Sequence, residues 1–330
     1  MTTRIASIVT VLVLVLVASA CSSAEPNEES AATTVDEGDD TAASFPMTIE
    51  NCGEEVVIED APEGILTIGT VAVEILHAAG ASDLIVSRAG EFGATAPGEA
   101  GEAVADVEVL TDGDPGQEAI LGTGADLVVS YGLFETTPED LAAAGVDHLL
   151  IANYCGDHDG ELADASALEL VSADIRTYGE LFGTQGTADA AADEFDSTLE
   201  DVEPVEGGGT VAGLYWFGAD PSAFGDDSVV DAVFDQLGLD NVFGDVQEQF
   251  FELNIEELIA ADPDTIVLFH SLSPEIDEEE TMRRLLALPG AEDLQAIAND
   301  RLVSVPGVFA EPSPSALEGL QIISEGLATS

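Results

Sequence analysis

Three cysteines carry the plainest chemistry in this 330-residue chain. Cys21 directly follows Ala18-Ser19-Ala20, where a thiol after small residues can be acylated. Cys52 and Cys155 remain as an even pair, which in an oxidising compartment reads as a disulfide. Two thiols with no suitably spaced His do not make a zinc site. The four His residues fall in unrelated contexts. His77 lies mid-helix, His148 opens a strand, His158 sits in the Gly156-Asp157-His158-Asp159-Gly160 loop, and His270 ends a strand. A bare metal ion needs several such ligands to converge, so that reading is a lesser alternative. No nucleophile elbow, phosphate-cradling glycine loop or zinc-protease helix is present. Neither catalysis nor a cofactor is expected.

A second set of residues suits ligand capture. Ligands of open α/β sheets bind beyond the carboxyl ends of the strands. Reading those ends gives Thr70 after Gly69, then Arg88, Phe92, Tyr131 and Phe134 in the first half of the chain. The second half gives Tyr215, Trp216, Phe217, Phe224, His270, and Phe309 with Glu311. Aromatic faces in a groove suit a large, partly apolar chelate, with a few polar groups fixing its orientation. Arg88 is one of five Arg after the first twenty residues; it could grip ligand oxygens in a fixed fork or simply pair with one of the many acids. Trp216, the sole Trp, suits the core as well as the ligand.

The elements that must position these residues alternate. Strand-like runs at 64–69, 83–87, 125–130 and 147–152 are separated by helical segments at 71–79, 117–121 and 138–144. The pattern resumes with strands at 210–217, 264–270 and 301–305 and helices at 229–237, 254–260, 278–286 and 315–327. Strands spaced by helices imply crossover units and a largely parallel sheet. Residues 165–203 differ, holding helical periodicity for about forty residues with a dent at 183–186. The halves echo each other: Gln117 to Val129 matches Ile255 to Val267, each a helix, a short loop with an Asp, and a buried strand. The expected fold is α/β, with two Rossmann-like lobes joined by one long rigid helix and a ligand cleft between them. The boundaries are 1–20, 21–44, 45–163 for the first lobe, 164–203 for the bridge and 204–330 for the second lobe.

The first two segments are not part of the fold. Residues 1–20 hold Arg4, an apolar run from Ile8 to Ala18, and small residues before Cys21, the pattern of a secretory signal. Cys after small residues is the bacterial lipobox, with Ala18 where Leu is usual; it predicts an acyl (palmitate) anchor on Cys21. Residues 22–44 are mostly Ser, Thr, Ala, Glu and Asp, with no aromatic and no basic residue, too polar to offset the entropy of ordering, and read as a tether. About 285 residues then remain, enough for two cores. All 67 acids lie after the signal, against five Arg and no Lys. Nucleic acid and anionic lipid surfaces are poor partners for such a charge. Scattered acids suit high salt, where screening relieves self-repulsion; the same field could concentrate a cationic ligand.

From Phe45 to about Leu327 the chain resembles the substrate-binding lipoproteins of iron–siderophore and vitamin B12 ABC importers. The residues that carry the resemblance are Thr48-Ile49-Glu50-Asn51-Cys52-Gly53, Ala61-Pro62-Glu63-Gly64-Ile65-Leu66-Thr67 leading to Val73-Glu74-Ile75-Leu76, Ala173 to Gly179, and Leu237 to Phe243. The resemblance implies two lobes on a rigid bridge, capture of an iron complex, most directly a ferric siderophore, and delivery to an ABC permease by a monomer tethered outside the cell membrane. Cobalamin or haem would suit the same fold. In such proteins an acid on each lobe meets permease arginines; Glu74 matches the first and Asp235 the second, with Asp231 as its neighbour and rival.

Overall fold

The computed structural model describes residues 43–156, 165–216, 218, 220–271 and 276–328. The signal segment, Cys21, all but the last two tether residues, His158 and Phe217 lie outside them.

A hairpin of β1 (Met47–Asn51) and β2 (Glu54–Ile58) opens the described chain. Next come β3 (Ile65–Ile68), α1 (Thr70–Ala78), β4 (Ile85–Ala89), α2 (Gly98–Ala103), β5 (Val109–Thr111), α3 (Gln117–Thr123), β6 (Leu127–Ser130), α4 (Pro138–Ala143) and β7 (Asp147–Leu150). Among the described residues, β5-β4-β3-β6-β7 form one parallel sheet. β3 and β6 are buried at every residue, which is why they read as continuous apolar runs. The strand expected at 83–87 starts at Ile85, because Ser82–Leu84 form a 3-10 turn. The hairpin is pinned to β7: Asn51 Nδ2 donates to the Leu150 carbonyl at 2.8 Å, and Leu150 N donates to Asn51 Oδ1 at 2.9 Å. One residue on, Cys52 is disulfide-bonded to Cys155, with Cα atoms 5.0 Å apart.

The expected single bridging helix is two helices, α5 (Ala167–Phe182) and α6 (Gln185–Glu200). A capping box starts α5: the Ser166 hydroxyl accepts from Glu169 N while Glu169 Oε2 accepts from Ser166 N. Gly183 ends it with φ 71°, a left-handed cap that turns the chain back. The two helices then pack against each other. Arg176 bonds Asp193 and Asp196 at 2.7 and 2.9 Å, and Ser172 also bonds Asp196. They approach tightly at Gly179, where an added Cβ would come within 2.1 Å of Ala188 Cβ. The periodicity from 165 to 203 is real, but the dent at 183–186 is a reversal.

The second lobe comprises β8 (Thr210–Tyr215), β9 (Ser222–Phe224), α7 (Val229–Gln236), β10 (Asp240–Asn241), β11 (Phe250–Glu252), α8 (Ile255–Ala261), β12 (Thr265–His270), α9 (Glu278–Ala287), α10 (Gln295–Ala298), β13 (Leu302–Pro306) and α11 (Ala316–Ala328). Its sheet runs β11-β9-β8-β12-β13, with β10 also beside β8; β8, β10, β12 and β13 are parallel, and β9 pairs antiparallel with both β8 and β11. The internal echo has a physical basis. Asp126 accepts hydrogen bonds from Glu63 N and Gly64 N ahead of β3. Asp264 accepts from Thr210 N at 2.9 Å at the start of β8. Each Asp joins the start of its own strand to the strand alongside.

One hydrophobic cluster runs from Ile65 and Leu76 through Tyr178 and Phe195 to Phe234, Val305 and Leu327, so the lobes share a continuous core. Direct bonds add to it: Ser313 Oγ and Ser315 N both donate to Glu74 Oε2, at 3.0 and 3.3 Å.

Candidate functional site

Both sheets bring their carboxyl ends to a common region. In the first lobe the strand order reverses between β3 and β6, which places Gly69 and Tyr131 side by side at a topological switch point. Tyr131 lies across two glycines. A Cβ on Gly69 would stand 2.5 Å from its ring, and one on Gly90 3.2 Å from its hydroxyl; both glycines also hold positive φ, 95° and 64°. The hydroxyl donates to Asp114 Oδ1 at 2.7 Å. The ring centroid lies 5.8 Å from Phe134 and 5.9 Å from Tyr154.

Tyr154 reaches across to the second lobe, where its hydroxyl donates to Glu311 Oε2 at 2.5 Å. Tyr215, at the end of β8, packs over Gly307, whose added Cβ would stand 2.8 Å from the ring. Burial, then Glu311, raises the Tyr215 and Tyr154 hydroxyls, and burial with Asp114 raises that of Tyr131. All three phenols therefore remain protonated at neutral pH, acting as donors and aromatic faces. Burial raises the Glu311 carboxyl above the usual carboxylate range, and the Tyr154 hydrogen bond opposes this only in part. The result is a cluster of phenol rings at the carboxyl ends of both sheets, with carboxyl groups at Asp114 and Glu311 bonded to two of them.

The remaining expected residues divide. Phe134 and Phe92 are exposed, at 66% and 63%. Phe134 packs beside Tyr131, while Phe92 sits on the loop after β4 at φ 48°. His270 is half-buried beside Ser271 at the end of β12, and Phe309 is half-buried against the shared core. Thr70 is buried in the first turn of α1. Three residues are core or paired instead. Trp216 is 3% exposed in the second-lobe core, and Phe224 stacks edge-on to Phe269 at 5.2 Å. Arg88 is buried with both Glu91 oxygens on its Nη1, at 2.8 and 3.0 Å, and its Nη2 on the Val107 carbonyl. A strand end marks position but not direction, and these side chains turn into the sheet layers.

Glu74 is likewise misplaced as an outward docking residue: it is 4% exposed and bonded to Ser313 and Ser315. Asp235 is exposed on α7. Asp231 accepts from Asn241 Nδ2 at 2.7 Å. His77 pairs with Ser82, and His148 with Ser130, burial lowering the His148 imidazole to about 4. Sequence reasoning missed Tyr154 and Asp114. Tyr154 follows β7 beside the disulfide, a strand-end signal eclipsed by the cysteine; Asp114 sits among many look-alike acids.

A family description, periplasmic binding protein, matches residues 65–308. Among solved structures, an ABC-type Fe3+-hydroxamate transport system protein from Saccharomonospora viridis is 31% identical. That match covers 86% of this chain and 99% of the other, with TM-score 0.75. The vitamin B12 binding protein of Vibrio cholerae is 16% identical over 82% of this chain and 98% of its own, TM-score 0.59. A periplasmic haem-binding protein from Roseiflexus sp. is 20% identical over 81% and 98%, TM-score 0.61. These last two share the fold alone. No curated protein matches the chain significantly. The chain belongs to the periplasmic binding protein family, the extracytoplasmic substrate-binding components of ABC importers, which bind and deliver ligands and catalyse no reaction. No helix among the described residues is long and apolar enough to cross a membrane.

Proposed function

We propose that this protein captures a ferric hydroxamate-type siderophore in the cleft between its lobes and delivers it to an ABC permease. The observation that carries the reading is the tyrosine-lined cleft: Tyr131, Tyr154 and Tyr215 converge from both lobes around Glu311, offering protonated hydroxyls and aromatic faces to a chelate's oxygens and apolar arms. The 31% identity to the hydroxamate-system protein supports it. Cys21, after small residues, supports an acyl anchor to the cell membrane, and the shared core suits a monomer that closes little.

Delivery calls for an exposed acid on each lobe. With Glu74 buried, the internal repeat offers Glu118 on α3 and Glu256 on α8, exposed in the first turns of matching helices. Asp235 is the other exposed choice in the second lobe. Reversing Glu118 to Arg leaves ligand affinity unchanged and impairs uptake in cells.

Titration calorimetry of the protein against a neutral ferric trihydroxamate, cyanocobalamin and haemin tests the ligand. Binding is expected for the hydroxamate, weakened several-fold or more by Tyr154→Ala or Tyr131→Ala. Binding of cobalamin or haemin with none of the hydroxamate overturns the reading.

A further inference from the structure

The chain's positive charges can all be traced. It has no Lys, and beyond Arg4 its only Arg residues are Arg88, Arg176, Arg283, Arg284 and Arg301. Each is engaged. Arg88 is buried against Glu91. Arg176 ties α5 to α6. Arg283 pairs with Glu279 and Glu280 within α9. Arg301 bonds Thr265, at the amino end of β12 and so at the far edge of the sheet from the cleft. Arg284 bonds the Gly218 carbonyl, in the loop after β8, at 2.8 Å, and it is matched by Glu280 at 2.8 Å.

The cleft itself carries the opposite charge. Glu311 is held there by the Tyr154 hydroxyl and Asp114 by the Tyr131 hydroxyl, and neither carboxylate has a salt-bridge partner among the described residues. Two further observations bear on what such a site accepts. The rings of Tyr131 and Tyr154 stand 5.9 Å apart next to these carboxylates, and aromatic faces attract cations. Glu311 is also half-buried between lobes, where charges interact more strongly and are screened less than on an open surface.

We infer that the cleft selects a ferric complex bearing a positive charge, such as a hydroxamate chelate with a pendant ammonium group, and rejects anionic complexes, with Glu311 supplying the ligand's counter-charge. This rests on the ferric-chelate reading above and narrows it. A ferric tricatecholate, or any chelate with free carboxylates, would bring negative charge against Glu311 and Asp114 with no free guanidinium to receive it. A cationic chelate supplies the partner that the chain withholds from Glu311.

The test is a charge series on one scaffold: ferrioxamine B, whose linear trihydroxamate carries a free ammonium; its N-acetyl derivative, which is neutral; and its N-succinyl derivative, which is anionic. Iron and chelating groups are identical in all three. Affinities for the protein should fall in that order, with about tenfold or more between the first and last, equivalent to about 1.4 kcal/mol. Glu311→Gln should collapse the spread, and a urea midpoint close to that of the wild type reports that the variant is folded. Glu194→Gln, an exposed acid on α6, should leave the spread intact. Equal affinity for the three complexes overturns the inference and leaves the hydroxamate reading standing. A spread that survives Glu311→Gln overturns the role of Glu311 and points to the field of the whole acidic surface. Binding of none of the three removes the ferric-hydroxamate reading itself.

Discussion

Glu74 lies on the inward face of α1 with one carboxyl oxygen on Ser313 and Ser315 and the other, Oε1, buried with no hydrogen-bond partner among the described residues. Burial raises its carboxyl from 4.5 to about 8, against the lowering effect of the two serines. The folded protein therefore holds this proton more tightly than the unfolded chain does. The stability Glu74 contributes is complete below about 4.5 and is lost as pH rises through about 8. At about 1.4 kcal/mol per tenfold change in proton affinity, the loss is on the order of a few kcal/mol. Urea unfolding at pH 5 and pH 9 should show wild type losing more stability with rising pH than Glu74→Gln, whose amide needs no proton. Equal losses would show that the carboxyl is not held neutral. The sequence around Val73-Glu74-Ile75-Leu76 marks the acid as buried but does not say what holds it. The periodicity of α1 is apolar nearly all round, so an acid there is buried, and its partners lie far along the chain at 313 and 315. Arg88 and Trp216 were ambiguous for the same reason: the choice between ligand and neighbour depends on contacts that local spacing does not encode.

At the scale of elements, the α5–α6 turn separates what the sequence states from what it withholds. Apolar spacing from Leu168 to Phe182 and again from Ala188 marks helix on both sides of the break. The reversal depends on Gly183 and on close packing at Gly179. An exposed helical Gly changed to Ala would stabilise by about 0.5–1 kcal/mol. Here the new methyl would sit 2.1 Å from Ala188 Cβ, and overpacking typically costs about 1–3 kcal/mol. Gly179→Ala should therefore destabilise, read as a lower urea midpoint. A higher midpoint would mean that α6 can move away from α5 freely. The central strands were legible because β3, β6, β8 and β12 are buried apolar runs. The short strands β5, β9 and β11 have three residues each, too few to establish an alternation. The repeated Asp of the α3–β6 and α8–β12 units was visible as a letter, but its role in joining neighbouring strands became clear only from the hydrogen bonds.

Across the whole molecule, 67 acids face six Arg, so most surface carboxylates have no cation to meet. Raising salt from about 0.1 M to about 1 M shortens the screening length from about 10 Å to about 3 Å, which relieves repulsion between neighbouring acids. The melting temperature should rise over that range of potassium chloride; a flat response would show that the surface charge costs little. The core shared by both lobes, with the Glu74 and Tyr154 bonds between them, leaves little room for one lobe to swing from the other. The disulfide has a different reach. Cys52 and Cys155 are 103 residues apart, and every strand of the first parallel sheet lies between them. That lobe is thus a closed covalent ring. A protease that cuts one of its loops outside the cell opens the ring without releasing a fragment, so a once-nicked molecule remains one connected chain until a reductant reaches it.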